Sequence, residues 1–394
     1  MDKNILVFDT HPVQYRVPIW QTMEKESPGS VHVVYASDCS VQGRVDTEFG
    51  KSFAWDIPML SGYSHSILNC TKGIPLEGWS SLTGKGVAEY ISKNKPAAVL
   101  LTGLNYRFDL IAYFAAKRNN IPVWLRCETQ DYALHRSKFK SIIRSVIYKA
   151  AYTFLDQVFF IGELNKTHYL KHNVKPELLK PARYCTDDKF SLMDLDKKRQ
   201  IRNSARFFAK IDAHALVIGF SGKFIEKKNP DILFKMLKNL PPKVRSRVHL
   251  YFMGSGELQS SLEELAQNAL QEYGIKTYFA GFVNQSQLVP HYLAMDIMVL
   301  PSRKMGETWG LVANEAMQAG CAVVVSDAVG CSKDFSTWER FRVFKEESAV
   351  DLAHTITDLA KYRRSFEWAS EKLTTNYSIQ ATAASLLQQL KLVS

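Results

Sequence analysis

The chain has 394 residues, 46 % of them apolar, and sets 50 Lys and Arg against 39 Asp and Glu for a formal charge of +11. That content is ample for two packed cores and excludes a disordered chain, while no run approaches about 18 uninterrupted apolar residues, which excludes a spanning helix. Six cysteines without a CxxC pair or a ligand-like spacing to histidine exclude a zinc or disulfide framework, and the basic surplus points to polyanions or an anionic membrane surface.

The first residues pass from Met1-Asp2-Lys3 straight into an apolar strand pattern with no secretory leader, so the chain is expected to stay in the cytoplasm. Apolar strand runs then alternate with helix-length polar segments, at 5–8, 31–35, 97–101, 122–125 and 158–161 in the first half and at 215–220, 248–253, 277–280, 297–300, 322–325 and 341–344 in the second. Such alternation predicts α/β architecture, with two parallel sheets covered by helices on both faces. A polar, charged stretch at 181–212 separates them, and the connection is placed near 187–196. The expected domains are therefore 1–187 and 197–377, followed by an amphipathic helix at 378–394 that opens on a serine cap. Ligands of open α/β sheets bind beyond the carboxyl ends of the strands, which puts the site between the two domains.

Within this frame, residues 135–154 (HRSKFKSIIRSVIYKAAYTF) carry Arg136, Lys138, Lys140, Arg144 and Lys149 without an acid, while Phe139, Ile142, Ile143, Val146 and Ile147 recur at helical spacing. That pattern predicts an interfacial amphipathic helix on an anionic membrane. Nucleic acid is set aside, since no recognition module accompanies the charge. A second basic run, Lys197 to Lys210, is expected to be a solvated helix. After the strand at 215–220, Lys223 and Lys228 stand at the strand's carboxyl end, where two cations suit a departing diphosphate; Lys227 beside them is expected in solvent. Gly254 and Gly256 follow the next strand without the third glycine of a dinucleotide fingerprint, which argues against nicotinamide.

The stretch 298–327 (MVLPSRKMGETWGLVANEAMQAGCAVVVSD) reads as strand, loop, helix ending at Gly320, and strand. A helix starting around Thr308 to Gly310 offers backbone N–H groups to phosphate, and Gly306 and Gly310 permit close approach. On such a helix Glu307 and Glu315 would lie roughly 12 Å apart along the axis and within about 80° in azimuth. They are too far apart to share a proton, yet both could touch one elongated ligand such as a nucleoside-diphosphate sugar.

The Glu307-x7-Glu315 spacing resembles the paired glutamates of retaining glycosyltransferases of the GT-B fold, two Rossmann-like domains facing across a cleft. GETWGLVANEAMQAG followed by VVVSDAVG resembles glycosyltransferase family 4. The resemblance implies that Glu307 contacts the donor sugar and Glu315 the ribose hydroxyls. It further implies that Lys223 and Lys228, following Gly222, grip the diphosphate, with Thr308, Trp309, Gly310 and Leu311 around the donor. Gly254 would lie near the nucleotide, and Phe282 and Val283 would line the base pocket. The final helix would cross back onto the first domain. That domain would hold the acceptor, through His11, Gln14 and Arg16 after the first strand and Arg126 and Glu128 after a later one; Asn165 resembles an asparagine of a similar family loop. The loop at 11–16 lacks the glycine many relatives carry there.

The expected reaction is retaining transfer of a sugar from a UDP- or GDP-type donor to a hydroxyl of a glycan or lipid-linked acceptor, in surface polysaccharide biosynthesis. No resident cofactor is implied. Nor is a metal, since the one Asp-x-Asp, Asp194 to Asp196, falls in the charged linker. The enzyme would be cytoplasmic and peripheral on the inner face of the membrane. A GT-B-like epimerase or phosphorylase and a noncatalytic glycan-binding protein are the alternatives.

Overall fold

The computed structural model describes residues 4–41, 44–46, 51–53, 58–68 and 78–393. In chain order the strands of the first half are β1 (Ile5–Asp9), β2 (Val31–Tyr35), β3 (Arg44–Asp46), β4 (Lys51–Phe53), β5 (Ser64–Ile67), β6 (Ala98–Leu101), β7 (Val123–Leu125), β8 (Gln157–Phe160) and β9 (Leu179–Pro181). Those of the second half are β10 (Leu216–Ser221), β11 (Val248–Met253), β12 (Thr277–Gly281), β13 (Ile297–Leu300), β14 (Ala322–Ser326) and β15 (Phe341–Phe344). A seven-stranded sheet runs β5-β2-β1-β6-β7-β8-β9 and a six-stranded sheet β12-β11-β10-β13-β14-β15; β3 and β4 form a separate antiparallel pair. Every pairing in the two large sheets is parallel. Both are apolar on both faces, as a parallel sheet covered by helices requires.

Each sheet carries one core per face. Phe8, Val99, Leu125 and Phe160 pack on one side of the first sheet, and Val7, Trp20, Leu100 and Phe159 on the other. The second sheet buries Phe220, Phe252, Val299 and Val324 on one side and Val217, Met298 and Val323 on the other. The helix Ile379–Val393 contributes Ile379, Ala383, Leu386 and Leu390 to the first domain's core, beside the helix Val17–Glu26. The chain thus crosses between domains twice, once before the helix Leu195–Phe208 and again before this last one.

The basic run at 197–210 departs from its reading as a solvated helix. Lys198 and Arg206 are buried, and Arg202 and Arg206 both pair with Asp296, whose carboxylate also accepts from the Val217 N–H at 2.9 Å. The spacing of four puts these two arginines on one face, and their target is 94 and 90 residues away, so the sequence alone hides the partner. Asp194 caps that helix by accepting from the Lys197 N–H at 2.7 Å, and Asp196 pairs with Arg199.

His249 on β11 is buried, and its Nε2 has no hydrogen-bond partner among the described residues. Burial, with Lys276 and Arg206 adding like charge, lowers its pKa to about 4. A folded value below the unfolded one means stability that is present above about pH 6.5 and lost as pH falls toward 4. At pH 5 this amounts to about 2 kcal/mol. The buried Asp109 and Asp334, both raised to about 6 chiefly by burial, act in the opposite sense over that interval. The check is therefore a difference: between pH 7 and pH 5 the wild type should lose more melting temperature than His249→Phe. Parallel curves would show that the imidazole is not the group responsible.

Candidate functional site

The loop after β1 supplies Gln14 and Tyr15 to a cleft of about 510 Å³ whose opposite wall comes from the second domain: Gly222, Gly254, Phe282, Val283, Leu311 and Glu315. The backbone here is unusually close-packed. Gly254 has φ +144°, and a Cβ on it would lie 1.8 Å from the Gly222 carbonyl oxygen, so only glycine allows the ends of β10 and β11 to form this wall. Glu315, on the helix Val312–Gln318, accepts from the Tyr292 hydroxyl at 2.6 Å. Burial raises its pKa, against the hydrogen bond from Tyr292 and the charge of Lys189, which lines the same cleft.

A second cavity of about 410 Å³ adjoins the first. It is lined by Thr10, Arg16, Asp109, Glu128, Gln130, Arg136, Arg144, Gly306 and Thr308, among others. The partition between the two is Tyr15, whose hydroxyl donates to Glu128 at 3.1 Å; Tyr184 donates to the same carboxylate oxygen, and Thr308 Oγ1 to the other at 3.3 Å. Glu128 therefore takes bonds from both domains.

Between these cavities runs the loop 301–311. Glu307 is buried, pairs with Lys228 and accepts from Ser302 Oγ at 3.0 Å. Burial alone would raise its pKa, but Lys228, with Lys227 and Ser302 behind it, outweighs that and holds the carboxyl below its ordinary value. The loop is pinned to the first domain: the Gly306 N–H donates to the Ala133 carbonyl at 2.7 Å, and Gln130 Nε2 donates to the carbonyls of Glu307 and Thr308 at 3.4 and 3.3 Å. Lys227 departs from its expected place in solvent and is partly buried. Its Nζ donates to the Gly306 carbonyl at 3.1 Å and so braces the same loop.

Several expected positions fall elsewhere. The helix begins at Val312 rather than around Thr308, because Gly310 at φ +97° turns the chain first; Glu307 is on the loop, and the axial arithmetic for two helical glutamates does not hold. Trp309 is a core residue, donating from Nε1 to Asn314 Oδ1 at 2.9 Å and packing against Tyr184, Phe335 and Tyr377. A Cβ on Gly162 of the first domain would come within 2.2 Å of its ring, so Trp309 is a wedge between domains, and it lines neither cavity. Arg126 spends its guanidinium on the carbonyls of Ala182 and Arg183 and lines neither cavity. Arg16 lines the second cavity but is tied to the buried Asp9 at 3.2 Å. Gln14 faces the first cleft, while His11 lines neither cavity and shares a hydrogen bond with Thr10 Oγ1 at 2.9 Å. Lys223 and Lys228 also line neither. Asn165 is a strut, accepting from the Ile161 N–H and donating to the carbonyls of Cys127 and Thr129.

Sequence reading missed Asp9, Tyr15, Tyr184 and Asp334. Asp334 accepts from the Glu163 N–H and pairs with Arg183 at 3.0 Å across the domain boundary. None sits in a recognisable motif; Asp9 pairs with the nearby Arg16 and accepts from Thr102 across the sheet, and the other three act through partners distant in sequence. Among the described residues one group has metal-ligand composition, Asp131 with His168 and His172. Asp131 is already engaged by His168 at 3.0 Å and by the cations Arg144 and Lys171, and His168 Nε2 bonds the Tyr152 hydroxyl, so the cluster is a hydrogen-bonded network under the helix Lys138–Tyr152.

Two facing Rossmann-like domains with their strand ends meeting at a shared cleft define the GT-B fold. Solved structures agree over nearly all of the chain: the glycosyltransferase of Rickettsia africae ESF-5 (TM-score 0.68, 16 % identity, 100 % of this chain and 99 % of that one) and Anabaena Alr3699/HepE in complex with UDP and glucose (TM-score 0.66, 16 % identity, 99 % of both). At the sequence level, residues 201–373 match the model of the glycosyl transferases group 1 family. An uncharacterized glycosyltransferase of Methanocaldococcus jannaschii, MJ1607, is 35 % identical over 116 residues, 29 % of this chain. The matched stretches span 28–35 % of the length of the curated relatives.

Proposed function

We propose that the protein is a retaining, metal-independent glycosyltransferase of family 4, moving a sugar from a nucleoside-diphosphate donor of UDP or GDP type to a hydroxyl of a glycan or lipid-linked acceptor in surface polysaccharide synthesis. The observation that carries the reading is the adjoining of two cavities at one carboxylate. The cleft walled by Gly222, Gly254, Phe282, Val283 and Glu315 suits a nucleotide, with Glu315 toward ribose hydroxyls, and the cavity beyond Glu128 suits an acceptor. Glu307 stands on the loop between them, paired with Lys228 from the turn after β10, where the transferred sugar would lie. Front-face transfer needs no protein base: the leaving phosphate oxygen takes the acceptor's proton, the C1–O bond to phosphate breaks, and the new glycosidic bond forms on the same face. Lys223 and Lys228 then oppose charge building on the diphosphate. HepE, whose structure holds UDP and glucose, supports the nucleotide class through the shared fold. The test is a panel of radiolabelled nucleotide sugars with and without glycan acceptor. Acceptor-dependent incorporation is expected; turnover that ignores acceptor would favour an epimerase or phosphorylase, and binding without turnover a noncatalytic receptor.

The helix Lys138–Tyr152 supports the membrane part of this reading. Phe139, Ile142 and Ile147 are 73, 64 and 60 % exposed, and lysines and arginines flank them. No helix among the described residues is long and apolar enough to span a bilayer. Cytoplasmic protein should therefore float with vesicles containing anionic lipid at low salt and lose most of that binding on Ile142→Asp/Ile147→Asp. Equal flotation of the double variant would remove the helix as the contact.

A further inference from the structure

The second cavity carries a charge pattern that glycosyl transfer to a neutral hydroxyl leaves unexplained. Arg136 and Arg144 both line it, with Tyr148 between helix and cavity. Arg144 lies over the Tyr148 ring at 4.5 Å, pairs with Asp131 at 2.5 Å and reaches the Gln130 carbonyl at 3.4 Å. Asp131 must also serve Lys171 at 3.2 Å and His168, so one carboxylate answers two full cations there. Arg136 is half-buried and makes no ion pair among the described residues; burial and the neighbouring Arg144 together lower its pKa, the signature of a cation short of counter-charge. Of the carboxylates that line the cavity, Glu128 holds Tyr15, Tyr184 and Thr308. Asp109 accepts from the N–H groups of Asn105 and Tyr106 through Oδ2 alone, and burial raises its pKa to about 6, which weakens it as a counter-charge; neither acid pairs with Arg136. A guanidinium is seldom held partly out of water without an anion, and its planar fork fits phosphate oxygens in pairs.

Resting on the transferase reading, we propose that the acceptor is a phosphate ester, monoester or diphosphate, whose phosphate is held by Arg136 and Arg144 while its reacting hydroxyl lies toward Glu128 and Thr308. Two sources supply that chemistry: a membrane lipid phosphate, which the exposed apolar face of the helix Lys138–Tyr152 would flank, and a soluble sugar phosphate.

The test uses the full chain and its Arg136→Gln and Arg136→Lys variants. Titration calorimetry with dodecyl phosphate, dodecanol and glucose 6-phosphate reads the anion site, and UDP and GDP read the donor cleft in the same preparations. Dodecyl phosphate or glucose 6-phosphate is expected to bind the wild type and to weaken about tenfold or more in Arg136→Gln, with partial recovery in Arg136→Lys and nucleotide affinity unchanged. Dodecanol should show no dependence on residue 136. Tighter binding of dodecyl phosphate assigns the lipid source, and equal or tighter binding of glucose 6-phosphate the soluble one. Unchanged phosphate affinity in Arg136→Gln, or no phosphate binding by a wild type that binds nucleotide, overturns the anion site while leaving the donor reading intact. Arginine-dependent phosphate binding without nucleotide binding would do the reverse.

Discussion

Glu307→Gln is expected to lower the turnover of sugar transfer by about 10²–10³-fold while changing nucleotide affinity by no more than about twofold. The carboxylate is buried, ionised and fixed by Ser302 and Lys228 on a loop that the first domain holds in place. Glutamine preserves its volume and an acceptor for Ser302, so what is removed is the charge. A charge matters most where the reacting sugar becomes electron-poor at C1, which is the stage that turnover reads and nucleotide binding does not. Steady-state kcat with both KM values, set beside a calorimetric nucleotide affinity, separates the cases. Near-normal turnover would take Glu307 out of the reaction, and a loss confined to nucleotide affinity would reassign it to donor capture.

Lys228→Met should be nearly as severe in turnover, about 10²-fold, and should also cost folding stability. It strands a buried carboxylate that has no other cation in direct contact among the described residues, and breaking such a pair costs about 3 kcal/mol. The sign of the pH response follows. Without the ammonium, burial dominates and the Glu307 pKa rises, so the acid limb of the activity profile should move to higher pH in the variant. A profile that drops in height without moving would mean that Lys228 acts on the diphosphate alone and not through Glu307.

How much of this was legible beforehand varies with the physics of each element. Buried parallel strands announce themselves as short apolar runs, and those at 31–35, 248–253 and 297–300 coincide with β2, β11 and β13. The edge strands β5 and β9, reading SHSI and LKP, carry no such run because one side lacks a neighbour, and Pro181 is tolerated there for the same reason. The donor loop was readable as a motif, but its shape was not. Gly310 delays the helix by several residues, and the Glu307 side chain follows the loop toward Lys228 instead of lying along a helix with Glu315. Trp309 and Arg126 pack away from both cavities for one shared reason: position after a strand says that a residue is near the cleft, while only packing decides whether its side chain enters the cleft or the joint behind it. Asp334 and the tyrosines around Glu128 were invisible because their meaning lies in long-range pairs, and Asp9 because its burial under Arg16 and Thr102 is set by the sheet rather than by the local sequence.

The return of the helix Ile379–Val393 to the first domain separates order along the chain from order in mechanics. A fluorophore on Lys391 would ride with the amino-terminal half, although it follows every strand of the other half, and paired with one on Lys243 it would report the distance between the halves. The same return makes a tether: the halves are joined by two covalent crossings instead of one, which limits how far they can part.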